Sequence, residues 1–238
     1  MKTSNYIILS YLLLLFTGIF LLFLFSKFHD MKVFGEDYMI REKILDEFSV
    51  VVAESGAQFQ LTKGEQAKIV ISALKPDSCT FYPHEVRNDT LFIFPFPNPE
   101  ENKQNQEIYC PHIKSIVVKD KSRIRINEFS IDTLDISVYS ANLTCSFKKA
   151  LTNSGILTIT ASQGAGIEVF NLNIESLKTN LDQSSLVLQN TTIQNLSGSL
   201  TNGANLTCYN AIGKLNLEVD STSIYWLNKK TDSNSKNR

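Results

Sequence analysis

The sequence predicts an all-β protein whose body is a short, single-stranded parallel β-helix (a β-solenoid), preceded by an N-terminal transmembrane helix. A charge-free apolar run at residues 7–26 predicts the helix, and alternating apolar and polar residues beyond residue 48 predict strands. From residue 113 onward the alternation recurs with a period of roughly 19–23 residues, which is typical of a solenoid. Short alternating strands leave a β-sandwich as the alternative fold.

Composition limits the classes of partner. The 238-residue chain has a net charge of −1, so it lacks the basic field that nucleic-acid binding requires. The apolar pattern divides the chain into five predicted segments. These are a signal anchor at 1–27, a juxtamembrane stalk at 28–47, capping strands and hairpins at 48–112, β-helix rungs at 113–230, and a polar tail at 231–238.

The first segment is predicted to anchor the protein in a membrane. Residues 7–26 would form a helix roughly 30 Å long, which matches the hydrocarbon core of a bilayer. A cleaved signal peptide would end in small residues, whereas this run ends in Phe23-Leu24-Phe25-Ser26, so an uncleaved single-pass anchor is favoured. The bilayer is therefore the expected partner of residues 7–26, and the body is expected outside the cytoplasm, in the periplasm or at the cell surface.

The capping segment shows strand patterns of its own. Apolar residues alternate in three sets: Phe48/Val50/Val52, Phe59/Leu61 and Ile69/Ile71. Lys63-Gly64-Glu65 is predicted to turn between the last two, and Asn88-Asp89 to turn a hairpin. A loop rich in Pro, Asn and Glu is predicted at 95–108.

Each later rung is predicted to contain two short strands with inward apolar residues. The first strands have inward sets Ile116/Val118, Leu134/Ile136/Val138, Leu157/Ile159/Ala161, Leu177/Thr179/Leu181, Leu196/Gly198/Leu200 and Leu215/Leu217/Val219. The second strands have Ile124/Ile126, Leu143/Cys145/Phe147, Ile167/Val169, Leu186/Leu188, Leu206/Cys208 and Ile224/Trp226. One rung cannot bury its own apolar side, so stacking at roughly 4.8 Å per rung is required.

These patterns resemble a known bacterial family. The segments that carry the resemblance are Phe48-x-Val50-x-Val52 leading to Lys63-Gly64-Glu65, the Asn88-Asp89-Thr90-Leu91-x-Ile93 strand, and the glycine-containing turns at 162–166 and 201–205. Over roughly residues 48–228 the chain is similar to a divergent member of the family called putative auto-transporter adhesin, head GIN domain. The resemblance implies a parallel β-helix in the cell envelope and an adhesin-like role with no established activity.

Catalytic chemistry is not predicted. His29, His84 and His112 cannot be grouped with a nucleophile and an orienting residue, and no nucleotide, dinucleotide or zinc-protease motif occurs, so neither a catalytic residue nor a cofactor is expected. A carbohydrate-active β-helix enzyme would need carboxylates on adjacent rungs. Acids are not adjacent in the two predicted outward columns, which are Asp135, Thr158, Lys178, Ser197, Asn216 and Tyr139, Ser162, Asp182, Thr201, Asp220.

The four cysteines separate into two predicted kinds. Cys79 and Cys110 are candidates for a disulfide in an oxidising compartment, although together with His84 and His112 they could instead hold zinc. Cys145 and Cys208 fall three rungs apart in one inward column, roughly 14 Å from each other, which is too far for a disulfide. They are predicted to be buried free thiols.

The sequence thus predicts a membrane-anchored, non-catalytic binding, adhesion-like or structural module of the cell envelope. Its β-helix surface would present ladders of side chains to a glycan or protein ligand of unknown identity. A carbohydrate-active enzyme, for which Asp182 and Asp220 would be the acids, and a polymerising membrane-bound scaffold are the alternatives.

Overall fold

A computed structural model describes residues 15–18, 20, 39–73, 80–95, 105–127, 129, 132–147, 155–209 and 212–227. Its strands form two sheets that enclose one apolar core. The first strands are β1 Met39–Ile44, β2 Val50–Ala53, β3 Gln58–Lys63, β4 Lys68–Ala73, β5 His84–Arg87, β6 Thr90–Ile93 and β7 Asn105–Cys110. The later ones are β8 Ser115–Lys119, β9 Arg123–Asn127, β10 Thr133–Tyr139, β11 Asn142–Ser146, β12 Ile156–Ser162, β13 Gly166–Phe170, β14 Asn173–Asp182, β15 Ser185–Gln189, β16 Thr192–Thr201, β17 Asn205–Cys208, β18 Ile212–Val219 and β19 Ile224–Leu227.

From β8 onward the chain winds as a parallel β-helix, as predicted. Each rung contributes an even-numbered strand to a nine-stranded sheet and the following odd-numbered strand to a ten-stranded sheet. Neighbouring rungs pair in parallel in both sheets. The β-sandwich alternative is wrong, because a sandwich of that class has antiparallel sheets.

The register of the rungs confirms the predicted inward columns from β8 to β18. Leu134 pairs with Leu157, Leu157 with Leu177, and Leu177 with Leu196, so the first inward residues form one continuous column. All four are at most 1% exposed. The alternation of apolar and polar residues therefore places the apolar side chains between the two sheets, where stacking removes them from water.

The N-terminal strands stack in an order that differs from their order in the chain. The rung made by β2 and β3 pairs with β8 and β9 on one side and with β6 and β7 on the other, in parallel throughout. Beyond it, β4 pairs antiparallel with β7, β1 with β4, and β5 with β6. The turn predicted at Asn88-Asp89 joins β5 to β6, and both residues have positive φ, as a tight hairpin turn requires.

Two expectations for the N-terminal region are wrong in part. The predicted stalk at 28–47 contains strand β1, and the predicted loop at 95–108 contains the first residues of β7. Charged or amide side chains hide the alternation in both strands. In β1, Arg41 and Lys43 pair with the inward residues Ile71 and Ile69. Charged residues therefore occupy the positions at which an alternating strand would have apolar ones.

The last rung corrects a third expectation. Leu227, and not Trp226, pairs with Cys208, so Ile224 and Trp226 point outward while Tyr225 and Leu227 take the inward positions. All four residues of β19 are apolar or aromatic, so alternation cannot determine which face they occupy. The register of the hydrogen bonds between β19 and β17 determines which residues of β19 face the core.

The turns between the two strands of a rung stack at one corner. From the β8–β9 turn onward, the non-glycine residues with positive φ at this corner are Asp120, Lys121, Ser140, Gln163, Gln183 and Asn202. Asparagines take the same conformation at the opposite corner, where Asn190 Nδ2 donates a hydrogen bond of 2.5 Å to Asn171 Oδ1. Asn and Asp tolerate this left-handed conformation better than most residues, which explains the asparagines in the turns.

The predicted anchor lies almost entirely outside the described residues. Residues 15–18 and 20 of this segment are helical. In the part of the chain that the structure describes, no helix has the length and apolar character needed to cross a membrane.

Candidate binding face

The outer face of the nine-stranded sheet along β10, β12, β14, β16 and β18, which we call the ladder face, is built from longer strands than the facing part of the other sheet. Parallel pairing places its outward side chains in straight columns. The two predicted columns are present, from Asp135 to Asn216 and from Tyr139 to Asp220. Between them runs a third, which the sequence reading did not single out: Ser137, Thr160, Asn180, Ser199 and Glu218.

Most side chains of the ladder face are hydroxyls or amides, and many retain hydrogen-bonding capacity. Ser199 Oγ donates to Asn180 Oδ1 at 3.3 Å, and Thr201 Oγ1 donates to Asp182 Oδ1 at 3.3 Å. Thr158 and Thr160, both half-buried, make no side-chain hydrogen bond to any other described residue. The face therefore offers donors and acceptors at fixed positions, about 4.8 Å apart across the strands.

The acids on this face support the turns. Asp220 accepts hydrogen bonds from the backbone N–H groups of Asn202, Thr222 and Ser223, at 2.7, 3.0 and 2.8 Å. The Asn202 bond contributes most to holding the pKa of Asp220 far below its usual range. Asp182 accepts from Asn202 Nδ2 at 2.5 Å.

The carboxylates of Asp182 and Asp220 are therefore engaged in turns, and Thr201 occupies the rung between them. The arrangement lacks the two free, facing carboxyl groups that glycoside hydrolysis uses.

The histidines in the described chain have no catalytic arrangement. His84 Nε2 lies 3.0 Å from Lys43 Nζ, and its Nδ1 lies 2.6 Å from the carbonyl oxygen of Tyr82. His112 is exposed on the segment between β7 and β8. Among the described residues no group of three or more His, Cys, Asp or Glu side chains could hold a metal ion. His29 lies outside the described residues.

The cysteines lie in the core. Cys110, Cys145 and Cys208 are each 0% exposed. Burial raises the pKa of the Cys110 thiol to about 12, and burial also raises the pKa of the Cys145 thiol. Val169 and Leu188 separate Cys145 from Cys208 in their column. Cys79 lies outside the described residues, so its disulfide with Cys110 stays a prediction.

The outer face of the ten-stranded sheet differs in character near its C-terminal edge. Trp226 is 47% exposed and contacts Tyr209 edge to face, with ring centroids 5.3 Å apart. The sequence reading missed this aromatic pair because it placed Trp226 inside the core. A shift of register by one residue exchanges the two faces of a strand, and this is enough to move the Trp226 ring from the core to the surface.

Comparison with known proteins agrees with this architecture. The family model described as putative auto-transporter adhesin, head GIN domain, matches residues 47–229. A putative adhesin from Parabacteroides distasonis ATCC 8503 has a similar structure, with a TM-score of 0.54 and 9% sequence identity, over 80% of this chain and 93% of that one. No curated protein matches the sequence.

Two further solved structures have lower TM-scores. A putative adhesin from Bacteroides fragilis NCTC 9343 has a TM-score of 0.43 at 13% identity, over 81% of this chain and 97% of that one. A putative lipid binding protein from P. distasonis ATCC 8503 has a TM-score of 0.47 at 8% identity, over 82% of this chain and 95% of that one. At these identities, the first structure shows a shared fold and nothing about the ligand.

Proposed function

This chain belongs to the putative auto-transporter adhesin, head GIN domain family, and on that premise we propose that it is a non-catalytic, adhesin-like binding module of the cell envelope. We propose that the ladder face binds the ligand. The single observation that carries this is the set of in-register hydroxyl and amide columns on a rigid parallel sheet.

The chemistry of the ladder face favours a glycan as ligand. Ser, Thr and Asn side chains both donate and accept hydrogen bonds, as sugar hydroxyls do, so many pairings are available along a flat chain of sugars. Thr158 and Thr160 have no competing side-chain partner in the described structure, so they need not break a bond to bind. Their backbone is held by neighbouring strands on both sides, which lowers the entropy cost of binding.

The predicted anchor would hold this module on a bilayer. Strand β1, the first described strand after residues 7–26, lies at one edge of the ten-stranded sheet. With the anchor in the membrane, the solenoid would extend away from the bilayer on its extracytoplasmic side and keep the ladder face free. Membrane attachment and location are part of the proposal.

Binding of the detergent-solubilised full chain to an array of bacterial and host glycans tests the proposed ligand class. Thr160→Arg places a long charged side chain in the middle of the ladder face, and we expect at least a tenfold loss of glycan binding. Thr144→Arg is the matched control, because Thr144 is also a half-buried, outward threonine but lies in β11 of the other sheet.

We expect Thr144→Arg to bind as the unmodified chain does, with both variants retaining their strand circular dichroism. Failure of the unmodified chain to bind any glycan would reject the ligand class. Equal binding by the two variants would reject the ladder face as the site.

A further inference from the structure

The C-terminal end of the solenoid, formed by β18 and β19, leaves several inward side chains exposed among the described residues; we call it the open end. Leu215 and Val219 are 40% and 37% exposed, whereas Leu196 and Leu200, one rung earlier in the same columns, are 1% and 0% exposed. Tyr225, inward in β19, is 47% exposed. Both strands are also edges of their sheets, so their outer backbone groups have no strand partner in the described structure.

The opposite end of the stack is closed. Ile69 and Ile71 of β4 are 0% exposed, although β4 lies beside the edge strand β1. Lys43 of β1 contacts His84 of β5 at 3.0 Å and so connects the two sheets across that end. The contrast shows that the apolar core is protected at one end and presented at the other.

Residues 228–238, which follow β19 in the sequence, offer no apolar side chain to the open end. They read Asn-Lys-Lys-Thr-Asp-Ser-Asn-Ser-Lys-Asn-Arg. Burying Leu215, Val219 and Tyr225 requires apolar partners, which this tail cannot supply. An occupant must bring both an apolar surface and an unpaired strand edge.

We propose that the occupant is the open end of a second copy of this chain, joined tail to tail by antiparallel pairing of β18 with β18. A two-fold axis through Asn216 would place Lys214 opposite Glu218 of the second copy and, equally, Glu218 opposite Lys214. Residues opposite one another in an antiparallel pair have their side chains on the same face, so both charge pairs form on the outer surface.

The self-complementarity of β18 favours this occupant over an unrelated protein. Lys214 and Glu218 are exposed and have no ion-pair partner among the described residues. The same axis places Leu215 opposite Leu217 of the second copy on the inward side, where each covers the other. Strand β18 is therefore complementary to a second copy of itself in its charged side chains, its apolar side chains and its unpaired backbone groups, as an isologous interface requires.

The closed end argues for a dimer over a filament. Head-to-tail stacking would place the open end against β1 and β5, and in β1 the positions paired with the inward residues Ile71 and Ile69 are held by Arg41 and Lys43. Tyr225 would then meet charged side chains in place of an apolar surface, which is unfavourable. Tail-to-tail pairing closes after two copies and buries no such charge.

Charge exchange tests the pairing. Sedimentation of the full chain in detergent should show a dimer, and Lys214→Glu or Glu218→Lys alone should weaken the dimer about tenfold, because like charges then face each other twice. The double variant Lys214→Glu/Glu218→Lys should restore it. Mixing the two single variants should give heterodimers in preference to either homodimer, since every facing pair is again complementary.

Cysteine cross-linking tests the axis. Asn216→Cys should form a disulfide-linked dimer under mild oxidation, because residue 216 would face itself across the axis within about 7 Å. Ser197→Cys is the matched control, since Ser197 is the neighbour of Asn216 in the same outward column, one rung inside the sheet. A monomeric full chain, single charge variants that dimerise normally, or equal cross-linking of both cysteine variants would each overturn the proposal.

Discussion

At the scale of single residues, Gly198 shows how closely the rungs approach each other. It lies within β16 at φ +139°, and a Cβ atom added there would lie 1.7 Å from the carbonyl oxygen of Thr179 on β14. A backbone atom of a central strand cannot move away without breaking the sheet. Only glycine fits this inward position, which explains why the column of large apolar residues is interrupted there.

We therefore expect Gly198→Ala to destabilise the protein by about 3 kcal/mol or more. Chemical denaturation of the solubilised chain measures it. Gly203→Ala is the control, since Gly203 also has positive φ, +78°, but an added Cβ there meets no atom within 4 Å. Conformational strain alone should cost about 1–2 kcal/mol in the control. Similar losses in the two variants would contradict the close approach to Thr179.

The two core cysteines of the rungs should respond differently to the same substitution. Cys145 has no hydrogen-bond partner among the described residues, whereas the sulfur of Cys208 lies 3.8 Å from Thr191 Oγ1. We expect Cys145→Ser to cost about 1–3 kcal/mol, because its hydroxyl would be buried unpaired. Cys208→Ser should cost less, because Thr191 can pair with the new hydroxyl. Equal free energies of unfolding for the two variants would contradict this, and a Cys145–Cys208 disulfide would contradict the stacking register.

At the scale of elements, the turn before β19 depends on one ionised side chain. Asp220 accepts hydrogen bonds from three backbone N–H groups and so connects β18 to the turns of two rungs. Since these bonds lower the pKa of Asp220 below its ordinary value of about 3.9, they stabilise the fold fully above that pH and are lost as the pH falls below it.

We expect Asp220→Ala to reduce the hydrogen-exchange protection of β18 and β19 at neutral pH while leaving that of β10 and β12 unchanged. The variant should also lose less stability than the unmodified chain between about pH 4 and pH 2, because it lacks the group that becomes protonated. Asp135→Ala is the control, since Asp135 is an exposed acid on the same face with no side-chain partner among the described residues. A uniform loss of protection along the solenoid would argue against a local role.

At the scale of the whole molecule, the solenoid separates the predicted membrane attachment from the open end. Strands β1 and β19 are the two edges of the ten-stranded sheet, nine strand spacings apart, or about 43 Å. Two copies joined tail to tail would double this separation and place the two anchors at opposite ends. Such a dimer could connect two membranes, which is a geometry suited to adhesion.

The anchor itself gives a prediction at this scale. Deleting residues 1–27 should release a soluble protein with strand-dominated circular dichroism, because the longest charge-free apolar run lies within them. The unmodified chain should stay in the membrane fraction after carbonate extraction. A truncated chain that still fractionates with membranes, or an unmodified chain that is extracted, would contradict anchoring by this segment.

The sequence by itself determined the architecture of the rungs. Alternation within each strand and a longer repeat between rungs together predict a stack of rungs. The column from Leu134 to Leu196 and the column from Val138 to Leu200 lie in the core, as such a stack requires. The two outward columns of the ladder face followed from the same register. Successive side chains of a strand point to opposite faces of the sheet, so a sequence in which apolar and polar residues alternate shows which residues face the core.

Only the tertiary structure decided the features in which alternation carries no information. Strands β1 and β7 are too polar to show it and β19 is too apolar, so pairing with a neighbouring strand determined their place. The insertion of the β2–β3 rung between β8–β9 and β6–β7 is likewise a matter of long-range pairing. So is the open end: Leu215 has the same pattern as Leu196, and whether it is buried depends on whether another rung covers it.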